Sequence, residues 1–170
     1  MTAPAKTDLD PAAMLETGRL FYEAAHLCSK KSRGNARLVT PHVVNLALAA
    51  EVALKGLMLC HVDKQAVGEK AWKEAWRFHH LKRMIDLLST EIKAKFPANE
   101  DQPFLPVVMR TLEDVFVTWR YPYELASNNG LSLTLLERVA RDAITLLGES
   151  LEKQRLGEPR QSPQSARDIS

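Results

Sequence analysis

The chain has 170 residues and a mass of 19.1 kDa, enough for one domain with its own hydrophobic core and no need of stapling. Hydrophobic residues at 45% and charged residues at 26% are those of an average globular protein and exclude a wholly disordered chain. A net charge of +2 gives no argument for a nucleic-acid partner by itself, and with only Cys28 and Cys60, both in apolar helical surroundings, a disulfide scaffold is excluded.

Met1 to Asp10 contains one lysine and no apolar run of signal-peptide length, so residues 1–9 read as a flexible N-terminus and the expected location is the cytoplasm. Asp10-Pro11 then pairs an N-cap with a first helical position, where proline's missing N–H costs nothing. Met14, Thr17, Gly18, Phe21, Ala24, Ala25 and Cys28 follow at steps of three and four, which predicts a helix with one apolar face. Ser29-Lys30-Lys31-Ser32-Arg33-Gly34-Asn35 ends it in turn residues and positive charge.

Thr40-Pro41 repeats the start signal. From Val43 to Cys60 the chain is apolar on nearly every side except at Asn45, Glu51 and Lys55, the pattern of a central helix. A membrane span is the rival reading, but two charges near mid-run would each cost roughly 2.5–3.5 kcal/mol in a bilayer. No second hydrophobic span accompanies this one, so no membrane partner is expected. Glu51 and Lys55 stand four apart in the acid-then-base order that brings them together on a helix surface. Two readings fit: an ion pair at the rim of the core, worth ~0.3–0.5 kcal/mol if exposed, or a polar patch sunk between helices in which Lys55 faces a phosphate.

The third region sets Trp72 and Trp76 one turn apart, then His79 and His80, then the stripe Leu81, Met84, Ile85, Leu88 and Ile92, which predicts a helix. Lys70, Lys73, Arg77, Lys82 and Arg83 make the span locally basic. The tryptophans either pack inward beneath a solvated basic face or stack on bases while that face meets phosphate. A fourth helix is expected from near Pro103–Pro106, with Leu105, Val108, Met109, Leu112, Val115, Phe116 and Trp119 on one side. Pro122 stops it and turns Tyr121 off the helix axis. The stop carries Trp119-Arg120-Tyr121-Pro122-Tyr123-Glu124: a cation, a carboxylate and three aromatic rings around a proline. Ser127-Asn128-Asn129-Gly130 is a turn, and Leu135, Leu136, Val139, Ala143, Leu146 and Leu147 mark a fifth helix. The expected fold is all-α, an antiparallel bundle of about five helices over residues 10–156, with a polar, disordered tail over residues 157–170.

The common catalytic signatures do not occur: there is no glycine-rich phosphate loop, no G-x-S-x-G elbow and no H-E-x-x-H helix. Cys60-His61 and His79-His80 are the densest ligand clusters, and they lack the repeated paired spacing of a structural zinc module. No cofactor and no metal are implied.

Three features occur in order: Glu51-Val52-Ala53-Leu54-Lys55-Gly56-Leu57 on a helix, His80-Leu81 leading a Leu/Ile stripe, and Arg120-Tyr121-Pro122-Tyr123-Glu124 closing the fourth helix. In this order the chain, from about Pro11 to Lys153, resembles the HEPN superfamily. The resemblance implies an antiparallel helical bundle that commonly forms a homodimer, with members that cleave RNA, bind nucleotides or act in toxin–antitoxin and phage-defence systems. An antitoxin or a nucleotidyltransferase is the partner protein it implies. Its ribonucleases carry an arginine followed four to six residues later by a histidine, late in the bundle. Arg120 matches the arginine, but no histidine follows, and Glu124 stands in its place. The usual acid–base group is therefore missing. Arg37 to His42, five apart, satisfies the spacing and Arg19 to His26, seven apart, comes near it, both in the first half of the chain, where chance accounts for them.

The expected site joins Arg120, held by Glu124 or Glu51, and Tyr121 or Tyr123 with Lys55 and His80: arginine suits bidentate phosphate binding and tyrosine stacks on a base. The competing reading has Arg120 capping its helix and the tyrosines closing the core. Two functions remain open, a binding module for RNA or a nucleotide, and an unorthodox metal-independent endoribonuclease using Arg120 with Tyr121, Tyr123 or His80. The missing histidine favours binding.

Overall fold

The computed structural model describes residues 9–31, 39–77, 81–96 and 133–157. Among the described residues there are seven helices and no strand: α1 (Pro11–Lys31), α2 (Val39–His61), α3 (Lys64–Val67), α4 (Glu69–Arg77), α5 (Leu81–Leu87), α6 (Thr90–Lys95) and α7 (Leu133–Arg155). The all-α fold class read from the sequence is the observed one. The expected fourth helix, with Arg120, Tyr121, Tyr123 and Glu124, lies outside the described residues, as does His80.

α1 begins where the sequence signals it, with the Asp10 carboxylate accepting from Ala12 N at 2.9 Å and Met14 N reaching Asp10 O at 3.1 Å. α2 takes Pro41 in its first turn, where no intrahelical N–H is needed. The side chain of Asn45, one of the few polar positions of this helix, bonds back to Pro41 O at 2.8 Å.

Contacts fix the helix directions. His42 of α2 bonds to Ala25 O of α1, while Gly18 of α1 lies against Ala49 and Ala53, so these two helices run antiparallel. Gly56 meets Leu147 and His61 meets Ser150, so α2 and α7 run parallel. α1 therefore opposes both, with Gly18 beside Ile144 and Leu15 beside Gly148. α2 is the inner member: Leu46, Leu54, Leu57 and Met58 are fully buried, each such side chain contributing roughly 1.5–3 kcal/mol on burial. It is also the one described helix long and apolar enough to cross a membrane, with mean hydropathy 1.8 in a window of which 72% is buried inside the fold. Core packing accounts for that composition.

The third region holds three short helices, α4, α5 and α6, and the single turn α3 precedes it. Asp63 caps α3 through Gln65 N at 2.8 Å, and Gly68, at φ 83°, makes the turn into α4, a backbone conformation that side chains with a Cβ resist. The predicted stripe Leu81, Met84, Ile85, Leu88 and Ile92 is buried throughout, yet the helix breaks between α5 and α6. Ser89 there accepts from Ile92 N and caps the next helix. The apolar period continues across the break because a capped turn returns the chain to the same face.

Candidate functional site

Glu51 and Lys55 project from the middle of α2, one helical turn apart, and the Lys55 ammonium donates to Glu51 Oε1 at 2.6 Å. The pair is largely withdrawn from water: the Glu51 side chain is 5% exposed and that of Lys55 14%. The value of an exposed pair therefore does not apply, because an ion pair so placed must overcome a desolvation cost. Glu51 takes part in a further interaction besides this one.

The second contact of Lys55 comes from α4. Its ammonium lies 5.3 Å from the centroid of the Trp76 ring, within range of a cation–π attraction. Trp76 stacks on Trp72 at 5.8 Å between centroids and 15° between planes. Trp72 and Ala75 are buried, so the aromatic pair faces inward, as one of the two sequence readings had it, with Trp76 closing over the cation. Of the seven residues expected at the site, the structure brings Glu51 and Lys55 together; Arg120, Tyr121, Tyr123, Glu124 and His80 lie outside the described residues.

The opposite side of α4 is an open, solvent-exposed face that carries Glu69, Lys70, Lys73, Glu74 and Arg77. Lys73 pairs with Glu69 at 2.8 Å, and Arg83 of α5 reaches Glu74 at 3.1 Å. The hydrogen bond and charge of Lys73, and to a smaller extent the charge of Lys64, hold the Glu69 carboxyl below the usual carboxylate range.

Two histidines are engaged in ways that sequence reading missed. His42 Nδ1 lies 2.7 Å from Ala25 O, and because a carbonyl only accepts, Nδ1 carries the proton. His61 Nε2 lies 2.7 Å from Ser150 Oγ, whose own proton goes to Leu146 O at 2.6 Å. His61 is therefore the donor to Ser150 and is not placed as its base, so the pair is an interhelical tie and not a nucleophile. Ser150 was detectable only as the polar member of the Ala143, Leu146, Leu147 stripe. Between α1 and α7, Tyr22 meets the His26 ring edge-on at 4.6 Å and His26 Nε2 lies 3.6 Å from Glu137. Burial, the Glu137 charge and the Asp142 charge together raise the Tyr22 phenol above its ordinary value, against a smaller lowering by Arg141. Among the described residues no group of three or more His, Cys, Asp or Glu side chains is arranged to hold a metal ion.

Comparison with protein-family models, with curated proteins and with solved structures finds no match to this chain.

Proposed function

We propose that this chain is a HEPN-like helical binding protein that engages RNA or a nucleotide, within a system of the toxin–antitoxin or phage-defence type. The observation that carries the reading is the sunken Lys55 ammonium, held between Glu51 and the Trp76 ring. A buried ion pair adds little net stability against an apolar replacement of the same volume, so its place in the middle of an otherwise apolar helix is better accounted for by a polar site. A cation oriented by a carboxylate and an aromatic ring suits phosphate and base chemistry. The order of the Glu51–Leu57, His80-Leu81 and Arg120–Glu124 motifs supports the family, and with it the homodimer and the antitoxin or nucleotidyltransferase partner. Glu124 in the histidine's place makes binding the better reading than cleavage.

The test is retention of total RNA and of labelled nucleotides by the purified chain, wild type beside Arg120→Ala and beside the double variant Glu51→Leu/Lys55→Met. The double variant removes both buried charges, so neither is left unpaired. Binding is expected to fall in both variants while far-UV circular dichroism is unchanged. Undiminished binding in both would sink the reading, and RNA cleavage by wild type that Arg120→Ala abolishes would replace it with a ribonuclease. Sedimentation velocity checks the dimer.

A further inference from the structure

Among the described residues the large apolar side chains that stand in solvent are Leu20, Leu27 and Leu156, at 58%, 59% and 67% exposure. Leu20 and Leu27 both belong to α1 and, seven residues apart, lie on one line along it. Ala13 continues that line toward the N-terminus and is exposed too, with Thr17 and Ala24 beside it. Ala13, Thr17, Leu20, Ala24 and Leu27 therefore recur at steps of four and three, the seam spacing by which one helix receives another. This seam is not the one that α1 turns to its own core. Gly18 and Ala25 are buried behind it, and Met14, Leu15, Phe21 and Tyr22 are the side chains that pack on the core.

Charge divides the same face along its length. Glu16, Glu23 and Lys30 stand seven apart in a row at the edge of the seam, all exposed, and Lys31 follows at the C-terminal end. None of these four makes an ion pair among the described residues. Arg19, the cation in the acidic half, reaches instead toward Gly148 of α7. Turned end for end, the row complements itself: Glu16 faces the partner's Lys30, and the symmetry makes that contact twice. Glu23 alone meets its own copy, at the axis. The same reversal sets Leu20 against the partner's Ala24 and Leu27 against the partner's Thr17, large side chains beside small ones.

We infer that the face of α1 from Ala13 to Leu27 joins two copies of this chain, packed antiparallel about a two-fold axis near Glu23. The inference goes beyond the ligand reading above, for it needs neither Lys55 nor Arg120, and it gives the homodimer a surface. One face of a 21-residue helix, about 31 Å long, lies at the low end of specific interfaces, which bury roughly 1,200 Å² or more in total. A dimer that dissociates in the micromolar range is therefore expected. The rival occupant is the apolar stretch from Leu105 to Trp119 of the same chain, outside the described residues. A second copy is the better one because the charge pattern of α1 matches α1 itself.

Sedimentation velocity of the full chain over a concentration series tests it. Wild type is expected to pass from monomer to dimer, and Leu20→Lys/Leu27→Lys to weaken the dimer about tenfold or more. Both leucines are exposed, so the melting temperature, read where wild type is monomeric, should not move. Glu16→Lys should weaken the dimer roughly threefold, and Glu16→Lys/Lys30→Glu should restore it. In a Cys28→Ser chain under mild oxidation, Glu23→Cys should give a disulfide-linked dimer and Glu16→Cys should not, because only position 23 meets its own copy. A wild type that stays monomeric, a dimer indifferent to the two lysines, or equal cross-linking at both positions overturns the inference. Lysines that lower the melting temperature of the monomer and leave the mass unchanged overturn it too, and give the face to the chain's own Leu105 to Trp119 stretch. Ligand retention that depends on Lys55 or Arg120 in a monomeric wild type sinks the interface alone. A dimer broken by the two lysines, with no such retention, sinks the ligand reading alone.

Discussion

The two halves of the described structure are built by different means. α1, α2 and α7 are helices of 21, 23 and 23 residues that share continuous apolar faces and approach closely at Gly18 and Gly56. Helices α3 to α6 have nine residues or fewer, too short to be stable alone. They rely on the Asp63 and Ser89 caps, the turn at Gly68 and the Trp72–Trp76 stack. Long helices are specified by packing, short ones by local punctuation, and the chemistry sits where the two meet, at Lys55 under Trp76.

The strongest way to break this contrast is at the meeting point. Glu51→Ala leaves the Lys55 ammonium buried without its carboxylate and should destabilise the fold by about 3 kcal/mol, read as a shift in the urea midpoint. The Glu51→Leu/Lys55→Met pair should recover most of that loss, since it removes the orphaned ammonium, and fall short of wild type only by what the further interaction of Glu51 contributes. If Glu51→Ala proved harmless, the pair would be a solvated surface contact despite its burial.

The next effect belongs to the long helices. A Cβ on Gly56 would stand 2.5 Å from Leu147 Cδ2 and 3.1 Å from Cδ1, and Leu147 is fully buried. Gly56→Ala should therefore cost about 1–3 kcal/mol through overpacking. At Gly148 the same methyl would meet nothing closer than 3.8 Å, so Gly148→Ala should gain about 0.5–1 kcal/mol from helix propensity. Thermal melts of the two variants must move in opposite directions. Were both stabilising, the close approach of α2 and α7 would not be set by Gly56.

Local punctuation should matter less. Asp63→Ala and Ser89→Ala each remove an N-cap bond to Gln65 N or Ile92 N and should cost about 1 kcal/mol. Hydrogen exchange should quicken in α3 and α4 for the first and in α6 for the second, leaving α1 and α7 unchanged. Loss of protection spread evenly over all helices would show that the short helices and the long ones unfold as one unit.

This division also explains what the sequence discloses. The predicted stripe of α7 is buried throughout, because it packs with the period of its own helix, whereas of the predicted α1 stripe Gly18 and Ala25 are buried, Met14, Phe21, Ala24 and Cys28 half-buried and Thr17 exposed. The α1 stripe omitted Leu15 and Tyr22, which pack on the core too. A single-face template allows one partner, whereas α1 lies against both α2 and α7. The break at Ser89 was hidden because the apolar period runs through it. Glu51 and Lys55 were legible as a pair by their spacing, but the Trp76 ring that covers Lys55 comes from another helix, and no local pattern reports it. His61 and Ser150, 89 residues apart, are joined only by the fold.

The smallest expected effect tests the flank where α1 meets α7. The Tyr22 phenol is raised above its ordinary value of 10.0, first by burial and then by the charge of Glu137. For an acid raised in the folded state, the protonated form is the one the fold favours, so its contribution is complete below the unfolded value near 10 and is lost as pH rises through the folded value. Absorbance at the phenolate band should show a tyrosine titrating above the ordinary value, absent from Tyr22→Phe. Glu137→Gln should move that titration back down only in part, because desolvation is the larger cause and remains. A complete return would make charge, not burial, the governing force at this interface, and would mark the α1–α7 flank as electrostatically set, unlike the apolar approach of Gly56 to Leu147 between α2 and α7.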